Sequence, residues 1–152
     1  MPGNLLPFTM SEVDLALINQ SSYTKVLIID DDEAMIEMLK LVLDTNEFEL
    51  HTVTGGRVGI ESARVLKPDL VILDLLIPDM DGWEVCKSIR DFTQVPILVL
   101  SAVSKPNQVA KVLDEGADDY LLKPMTSSVL VAHVKRLARR AKAEQQANNS
   151  NN

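Results

Sequence analysis

Five short runs of apolar residues, rich in Val, Ile and Leu, recur along the chain at nearly even spacing. They occupy residues 25–29, 48–53, 70–73, 96–100 and 118–122. The stretches between them have the periodicity of amphipathic helices, as at Met35, Ile36 and Leu39. Continuously apolar strands separated by helices form a parallel sheet covered on both faces, because each crossover is right-handed. The pattern predicts one α/β domain with a doubly wound sheet of five parallel strands.

The ends of the chain lie outside this repeat. We assign the domain to residues 24–142. Residues 1–22 form an N-terminal extension that includes the pattern of a short helix, and residues 143–152 are polar and are expected to form a disordered tail. Within the domain, Gly116 is expected to end the fourth helix, and Pro124 is expected to open the fifth.

Composition narrows the classes of function. A formal net charge of −7 argues against a broad nucleic-acid surface, because such surfaces need clustered Lys and Arg. The single cysteine, Cys86, excludes an intramolecular disulfide and is expected in the core. The chain has no apolar run long enough to span a membrane, and residues 1–22 lack the pattern of a signal peptide. We therefore expect a cytoplasmic protein.

Polar residues follow four of the five predicted strands. They are Asp30, Asp31 and Asp32 after the first strand, Asp74 after the third, Ser101 after the fourth and Lys123 after the fifth. Ligands of an open parallel sheet bind beyond the carboxyl ends of its strands. We therefore expect these side chains to lie at one edge and to form one site.

The aspartates have two interpretations. One Asp before a helix can cap it, which stabilises by about 1 kcal/mol. Capping needs only one aspartate, whereas charges about 4 Å apart repel by about 4 kcal/mol at an effective dielectric of 20. If Asp74 joins the cluster at Asp30–Asp32, a hard divalent cation offsets that repulsion. The pattern favours a Mg²⁺ site over capping alone.

Ser101 and Lys123 mean little separately, since strand-end hydroxyls often bond to the backbone and lysines are mostly solvated. Together, opposite carboxylates and a metal ion, they supply what a phosphoryl group needs around its oxygens. Asp74 would then be a nucleophile that forms an acyl phosphate. Asp79, Asp81 and Gly82 share positions with a calcium loop, but its other ligands are missing.

Four runs of the sequence together resemble the receiver domain of two-component response regulators. They read KVLIIDDDEAM, KPDLVILDLLIPDMDGWEVCKSIR, VPILVLSA and GADDYLLKP, and the resemblance extends over about residues 24–142. It implies a flavodoxin-like (βα)5 receiver fold with strand order 2-1-3-4-5. It also implies a signalling domain, not an enzyme, that takes a phosphoryl group from a histidine kinase or phosphotransfer protein and loses it slowly to water.

The resemblance assigns the acidic residues. Asp74 matches the phosphoacceptor, and Asp30 and Asp31 match the acidic pair that holds Mg²⁺. In the family the second acid binds the metal directly, the first acts largely through water, and a backbone carbonyl contributes, here that of Leu76. Asp32 is then an additional carboxylate that caps the first helix.

The resemblance also assigns the residues that respond to the phosphoryl group. Ser101 matches the hydroxyl that follows the phosphoryl group, Lys123 matches the lysine that pairs with it, and Tyr120 matches the aromatic residue that turns inward. The family usually has a cis bond at the position of Lys123 and Pro124, which X-Pro bonds tolerate at small cost.

The last helix resembles that of receivers joined to a winged-helix domain, which commonly dimerise through helix 4, strand 5 and helix 5. Asp119 and Arg140 are compatible with the ionic pairs of that face. Val109, Val129 and His133 stand where Lys, Glu and Arg are usual, so a more apolar contact stays open. The basic run at residues 135–142 is interpreted as a solvated helix face, not a nucleic-acid site.

The sequence leaves several functions open for a protein with this site. A stand-alone receiver, a phosphorelay shuttle and a fragment of a longer regulator all fit the sequence. A Mg²⁺-dependent phosphatase of the haloacid-dehalogenase type would use Asp30 and Asp32, but Ala34 stands where Thr or Val is required, and no cap domain is present. A degenerate receiver that only binds partners is disfavoured, because no residue of the site is missing.

Overall fold

A computed structural model describes residues 23–44 and 47–151 of the 152-residue chain. The helices and strands alternate along the whole of this part. They are β1 Thr24–Ile29, α1 Glu33–Leu43, β2 Phe48–Val53, α2 Gly56–Leu66, β3 Leu70–Leu73, α3 Gly82–Arg90, β4 Ile97–Ser101, α4 Pro106–Asp114, β5 Asp119–Leu122 and α5 Ser127–Ser150. The five strands pair in parallel in the order β2-β1-β3-β4-β5, which confirms the predicted fold.

The sheet separates two apolar cores. Val26 and Ile28 of β1 pack with α1 and α5 on one face. Leu27 and Ile29, which alternate with them, pack with α2, α3 and α4 on the other. Because successive side chains of a strand point to opposite faces, a central strand covered on both faces must be apolar throughout. Cys86 lies fully buried in the second core, as predicted.

Two local predictions need correction. Helix α5 begins at Ser127, not at Pro124, because Thr126 is its N-cap and accepts a hydrogen bond from the Val129 backbone N–H. Gly116 follows α4 with φ of +111°, a conformation that favours glycine, but the cap residue itself is Glu115. The Lys123–Pro124 peptide bond is cis, as the family resemblance implied.

The expected disordered tail is also wrong for the residues that the structure describes, since α5 continues to Ser150. Glu144 pairs with Arg140 one turn earlier, and Gln145 donates to Asp69 at the start of β3. Ala141 is buried against the body of the domain. These contacts extend a helix that polar composition alone did not predict.

The extension at residues 1–22, with its predicted short helix, lies outside the described residues. Within the described ranges, none of the helices is long and apolar enough to cross a membrane.

Candidate functional site

Strand register brings the predicted acidic residues together at the carboxyl edge of the sheet. Ile29 of β1 lies opposite Leu73 of β3, so Asp30 and Asp74, which follow them, become neighbours. Asp74 extends the pairing, since its backbone N–H donates to the Ile29 carbonyl at 3.0 Å. Two residues 44 positions apart in the sequence thus reach one place through a single pair of strands.

Three carboxylates form a compact cluster at this edge. One oxygen from each of Asp30, Asp31 and Asp74 lies within 4.8 Å of the others. Asp30 and Asp74 are buried, whereas Asp31 is exposed to solvent. The cluster is therefore open on one side, where an ion or a small group can enter.

Lys123 supplies the positive charge inside this cluster. Its Nζ lies 3.0 Å from Asp30 Oδ2 and 3.0 Å from Asp74 Oδ2, and 3.7 Å from Asp32 Oδ2. Burial alone would lower the pKa of Lys123, but its hydrogen bonds to Asp74 and Asp30 outweigh this effect and raise the pKa. The ammonium group stays charged, and one positive charge faces several negative ones.

The cluster fits a hard divalent cation. Burial raises the pKa of Asp30 to about 6, against the opposing effect of hydrogen bonds from the Asp32 backbone N–H and from Lys123. A carboxylate with a raised pKa carries an unfavourable charge, and a cation among the oxygens relieves it. Carboxylate oxygens on one open side, with room for water, are the donors that Mg²⁺ prefers.

Asp32 lies beside the cluster but has a different role. Its Oδ1 accepts hydrogen bonds from the backbone N–H groups of Ala34 and Met35, so it caps α1. The helix-capping interpretation is therefore correct for this one aspartate, while Asp30 and Asp31 belong to the acidic cluster.

The loop after β3 is built around Asp74. Asp74 Oδ1 accepts from the Leu76 backbone N–H at 3.0 Å, and the Gly82 N–H donates to the Leu75 carbonyl at 3.1 Å. A Cβ at Gly82 would lie 2.4 Å from Leu75 Cα, so the loop closes this tightly only with glycine there. Asp81 precedes Gly82 as the N-cap residue of α3.

Ser101 and Tyr120 lie on the adjoining strands. Ser101 is fully buried and accepts a hydrogen bond from the Val103 backbone N–H at 3.3 Å. Tyr120 is half-buried against the second core, and its hydroxyl donates to the Val103 carbonyl. Burial raises the pKa of Tyr120, and the negative charge of Asp74 adds to this effect. Both side chains therefore contact one segment, the backbone that follows Ser101.

On the surface beside β5, the charged side chains pair with one another within the chain. Asp119 accepts hydrogen bonds from His133 and Arg136. Arg140, which was a candidate for an interface pair, donates to Asp118. Val129 is exposed and Val109 is half-buried.

Sequence reasoning missed the interactions of Asp118. Its Oδ2 accepts from Arg90 and from the Ile97 backbone N–H, each at 2.7 Å. It also missed Arg136, the second partner of Asp119. A carboxylate directly before an edge strand was the signal in the sequence, because the partners come from elements distant along the chain, namely α3, β4 and α5.

The geometry matches a known family. The model of the response regulator receiver domain matches residues 26–135, most of the chain. The chain belongs to the response regulator receiver domains. These are domains of two-component systems, and the mechanism of the family is phosphorylation of an aspartate. A receiver is a signalling domain and not a classical enzyme, so the phosphatase interpretation is set aside.

Relatives of this receiver include two bacterial regulators. The DNA-binding response regulator MtrA of Mycobacterium tuberculosis is 40% identical over 116 residues, which are 76% of this chain and 51% of MtrA. The transcriptional regulatory protein CseB of Streptomyces coelicolor is 38% identical over 117 residues, 77% of this chain and 50% of CseB. The chain thus spans about half the length of these relatives.

Solved structures have the same fold. A two-component response regulator from Clostridium difficile superposes with a TM-score of 0.73 at 34% identity, covering 77% of this receiver and 97% of that chain. The BeF3-activated N-terminal receiver domain of RstA from Klebsiella pneumoniae gives a TM-score of 0.71 at 29% identity, covering 76% and 98%. Receiver domains bind Mg²⁺ at an acidic pocket, and this receiver has a cluster of three aspartates at the carboxyl edge of its sheet.

Proposed function

We propose that Asp74 accepts a phosphoryl group from the phosphohistidine of a histidine kinase or phosphotransfer protein. In this proposal Mg²⁺ is held by Asp30, Asp31, Asp74 and the backbone carbonyl of Leu76. The observation that carries the proposal is the convergence of three carboxylates and one ammonium group at the open edge of the sheet.

The transfer exchanges one phosphorus bond for another. An oxygen of the Asp74 carboxylate attacks phosphorus, the P–N bond of the phosphohistidine breaks, and its electron pair stays on the imidazole nitrogen. When bound, Mg²⁺ neutralises charge on the phosphoryl oxygens. Asp74 Oδ1 is oriented by the Leu76 N–H, which fixes the direction of the carboxylate.

Lys123 and Ser101 act on the phosphoryl group. Lys123 contacts Asp74 Oδ2 at 3.0 Å, so a phosphoryl group on that carboxylate comes within reach of the ammonium. The hydroxyl of Ser101, on the neighbouring strand β4, donates to a second phosphoryl oxygen. Its movement shifts the segment at Val103, which also holds the Tyr120 hydroxyl. Water then slowly attacks phosphorus, assisted by the same side chains; the P–O bond to Asp74 breaks, inorganic phosphate leaves, and the carboxylate is restored.

The switched surface is the one made by α4, β5 and α5, where a second copy or another protein binds. Asp119 and Arg140 already have partners within the chain, which supports a contact less dependent on ionic pairs than in the winged-helix relatives. Val109 and Val129 are its apolar candidates, and His133 is a further candidate that contacts Asp119.

The test is phosphorylation by a small phosphodonor in the presence of Mg²⁺. The wild-type protein should gain one phosphoryl group that is stable to acid and labile to base, measured by intact mass. Asp74→Asn should gain none, because an amide is not a nucleophile here. Asp69→Asn is the matched control, since Asp69 precedes the same strand that Asp74 follows, and it should be labelled normally. Equal labelling of Asp74→Asn and wild type would exclude Asp74 as the acceptor.

A further inference from the structure

Asp79 connects the loop after β3 to a different helix. Its Oδ1 accepts from the Gly56 backbone N–H at 2.7 Å, and its Oδ2 accepts from the Arg57 N–H at 3.1 Å. The hydrogen bond to Gly56 and then that to Arg57 hold the pKa of Asp79 below its ordinary value, so the carboxylate is charged at neutral pH. Both donors belong to the first turn of α2.

Helix α2 has no cap of its own. The N-cap residue is Gly55, which has no side chain, and the first N–H groups of a helix need acceptors. Asp79 supplies these acceptors from a position 23 residues later in the sequence. The neighbouring residue Met80 also packs here, and a Cβ at Gly56 would lie 2.4 Å from Met80 Cγ. The loop and the start of α2 are fitted closely to each other.

These bonds are the loop's polar connection to the rest of the domain. Within the part of the chain that the structure describes, residues 75–81 make hydrogen bonds to the loop itself, to α3 and, through the Leu76 N–H, to Asp74; the two that Asp79 accepts join the loop to another element, α2. The same loop contains Leu76, whose N–H orients Asp74. A change at Asp79 therefore acts on a segment whose other end is the site.

We infer that Asp79 is a positioning residue for phosphoryl transfer: by capping α2 from the loop that follows Asp74, it holds the Leu76 backbone where its carbonyl can bind Mg²⁺. This inference rests on the proposed function. Groups that orient a metal ligand without touching the metal typically change affinity by 10- to 100-fold in metalloproteins when removed. A backbone carbonyl in a loop with apolar anchors, such as the buried Leu75, should depend less on one carboxylate. We expect a loss of Mg²⁺ affinity of about three- to tenfold on Asp79→Ala.

The competing explanation is that Asp79 only stabilises α2. The chain offers a way to separate the two roles, because Gly55 can be given a capping side chain. Its φ of −128° and ψ of 155° suit serine as an N-cap. The atoms nearest to a Cβ there belong to the Asp79 carboxylate, at 3.5 Å, an ordinary contact that Asp79→Ala removes. The double variant Gly55→Ser, Asp79→Ala restores the cap of α2 without restoring the link to the loop.

The experiment compares wild type, Asp79→Ala, Asp79→Asn and the double variant by three measurements. These are thermal unfolding, Mg²⁺ affinity by titration calorimetry, and hydrogen exchange of residues 75–81 in the metal-free protein. We expect the double variant to recover the thermal stability lost in Asp79→Ala. Its Mg²⁺ affinity and its slow exchange in the loop should stay reduced. Asp79→Asn keeps one acceptor oxygen and should fall between Asp79→Ala and wild type.

Two results would overturn the inference. One is unchanged affinity and loop exchange in Asp79→Ala, and the other is full recovery of both, together with stability, in the double variant. Failure of the proposed function looks different, since wild type itself would then bind no Mg²⁺ or be labelled independently of Asp74. If wild type binds no Mg²⁺, the metal-positioning role falls with it, and the loop exchange then reports only whether Asp79 orders the loop.

Discussion

Two clusters of charged side chains lie at opposite parts of the sheet and differ in their balance of charge. At the carboxyl edge, the Lys123 ammonium group contacts Asp30 and Asp74, whose carboxylates form one cluster with that of Asp31. Beside β5, a single carboxylate, that of Asp118, is shared by the guanidinium groups of Arg90 and Arg140. The first cluster has an excess of negative charge, and the second has a partner for every acceptor oxygen.

The difference separates a binding site from a structural cluster. The Asp118 carboxylate also accepts the Ile97 N–H, so it joins α3, β4 and α5 through bonds that need nothing from outside the chain. The carboxylates of the first cluster lower their free energy further when a cation arrives, because burial has already raised the pKa of Asp30. In the proposed function, aspartate thus serves cation binding in one place, whereas in the other it joins separate elements of the chain.

Of the changes that distinguish the two clusters, Asp31→Ala should have the largest effect. Removing the exposed carboxylate of the first cluster should abolish Mg²⁺ binding, an affinity loss of more than about 100-fold, because a direct ligand is lost. Trp83 provides the signal, since its ring lies in one surface cavity with Leu76 and Val103. Glu33→Ala, an exposed carboxylate two residues away, should bind Mg²⁺ nearly as wild type does. Unchanged affinity of Asp31→Ala would exclude this residue as a ligand.

Asp118→Ala should act on stability and not on binding. It leaves the guanidinium of Arg90, whose side chain is only 14% exposed, without its carboxylate. We expect a loss of about 2–3 kcal/mol in the free energy of unfolding, measured with urea, and little change in Mg²⁺ affinity. Asp119→Ala should cost less, because its partner Arg136 is 58% exposed. A large loss of Mg²⁺ affinity in Asp118→Ala would show that the two clusters are coupled.

The smallest expected effect is the pH dependence of Mg²⁺ binding. Because the folded pKa of Asp30 is about 6, protons compete with the metal below that pH. Affinity should fall by about tenfold between pH 7 and pH 5 through this group. Asp30→Asn should lose this dependence, and an unchanged slope in that variant would assign the proton to another residue.

The raised pKa of Asp30 also makes the stability of the metal-free protein depend on pH in a defined direction. A carboxyl group with a raised folded pKa contributes stability that is fully present below its ordinary value of 3.8 and is lost as the pH rises through about 6. At neutral pH the metal-free site is therefore strained by its own charge.

The sequence by itself determined the architecture, and it predicted which residues form the site. Runs such as residues 70–73, buried on both faces, can only be central strands between helices, and this fixes where each strand ends. Because parallel strands end at one edge, the polar residues Asp30, Asp74, Ser101 and Lys123 had to meet there. The spacing of the apolar runs along the chain was sufficient to predict this, because it shows where each parallel strand ends.

Only the tertiary structure decided which charges pair and which remain unbalanced. Asp79 looked like part of an incomplete calcium loop, yet it caps a helix that begins 23 residues earlier. The polar tail looked disordered, yet Gln145 reaches Asp69 and α5 continues to Ser150. Such contacts join residues that are distant in sequence, and they depend on the directions of side chains from separate elements. The periodicity of apolar residues does not predict those directions, because it indicates which face of an element is buried and not which residues lie opposite that face.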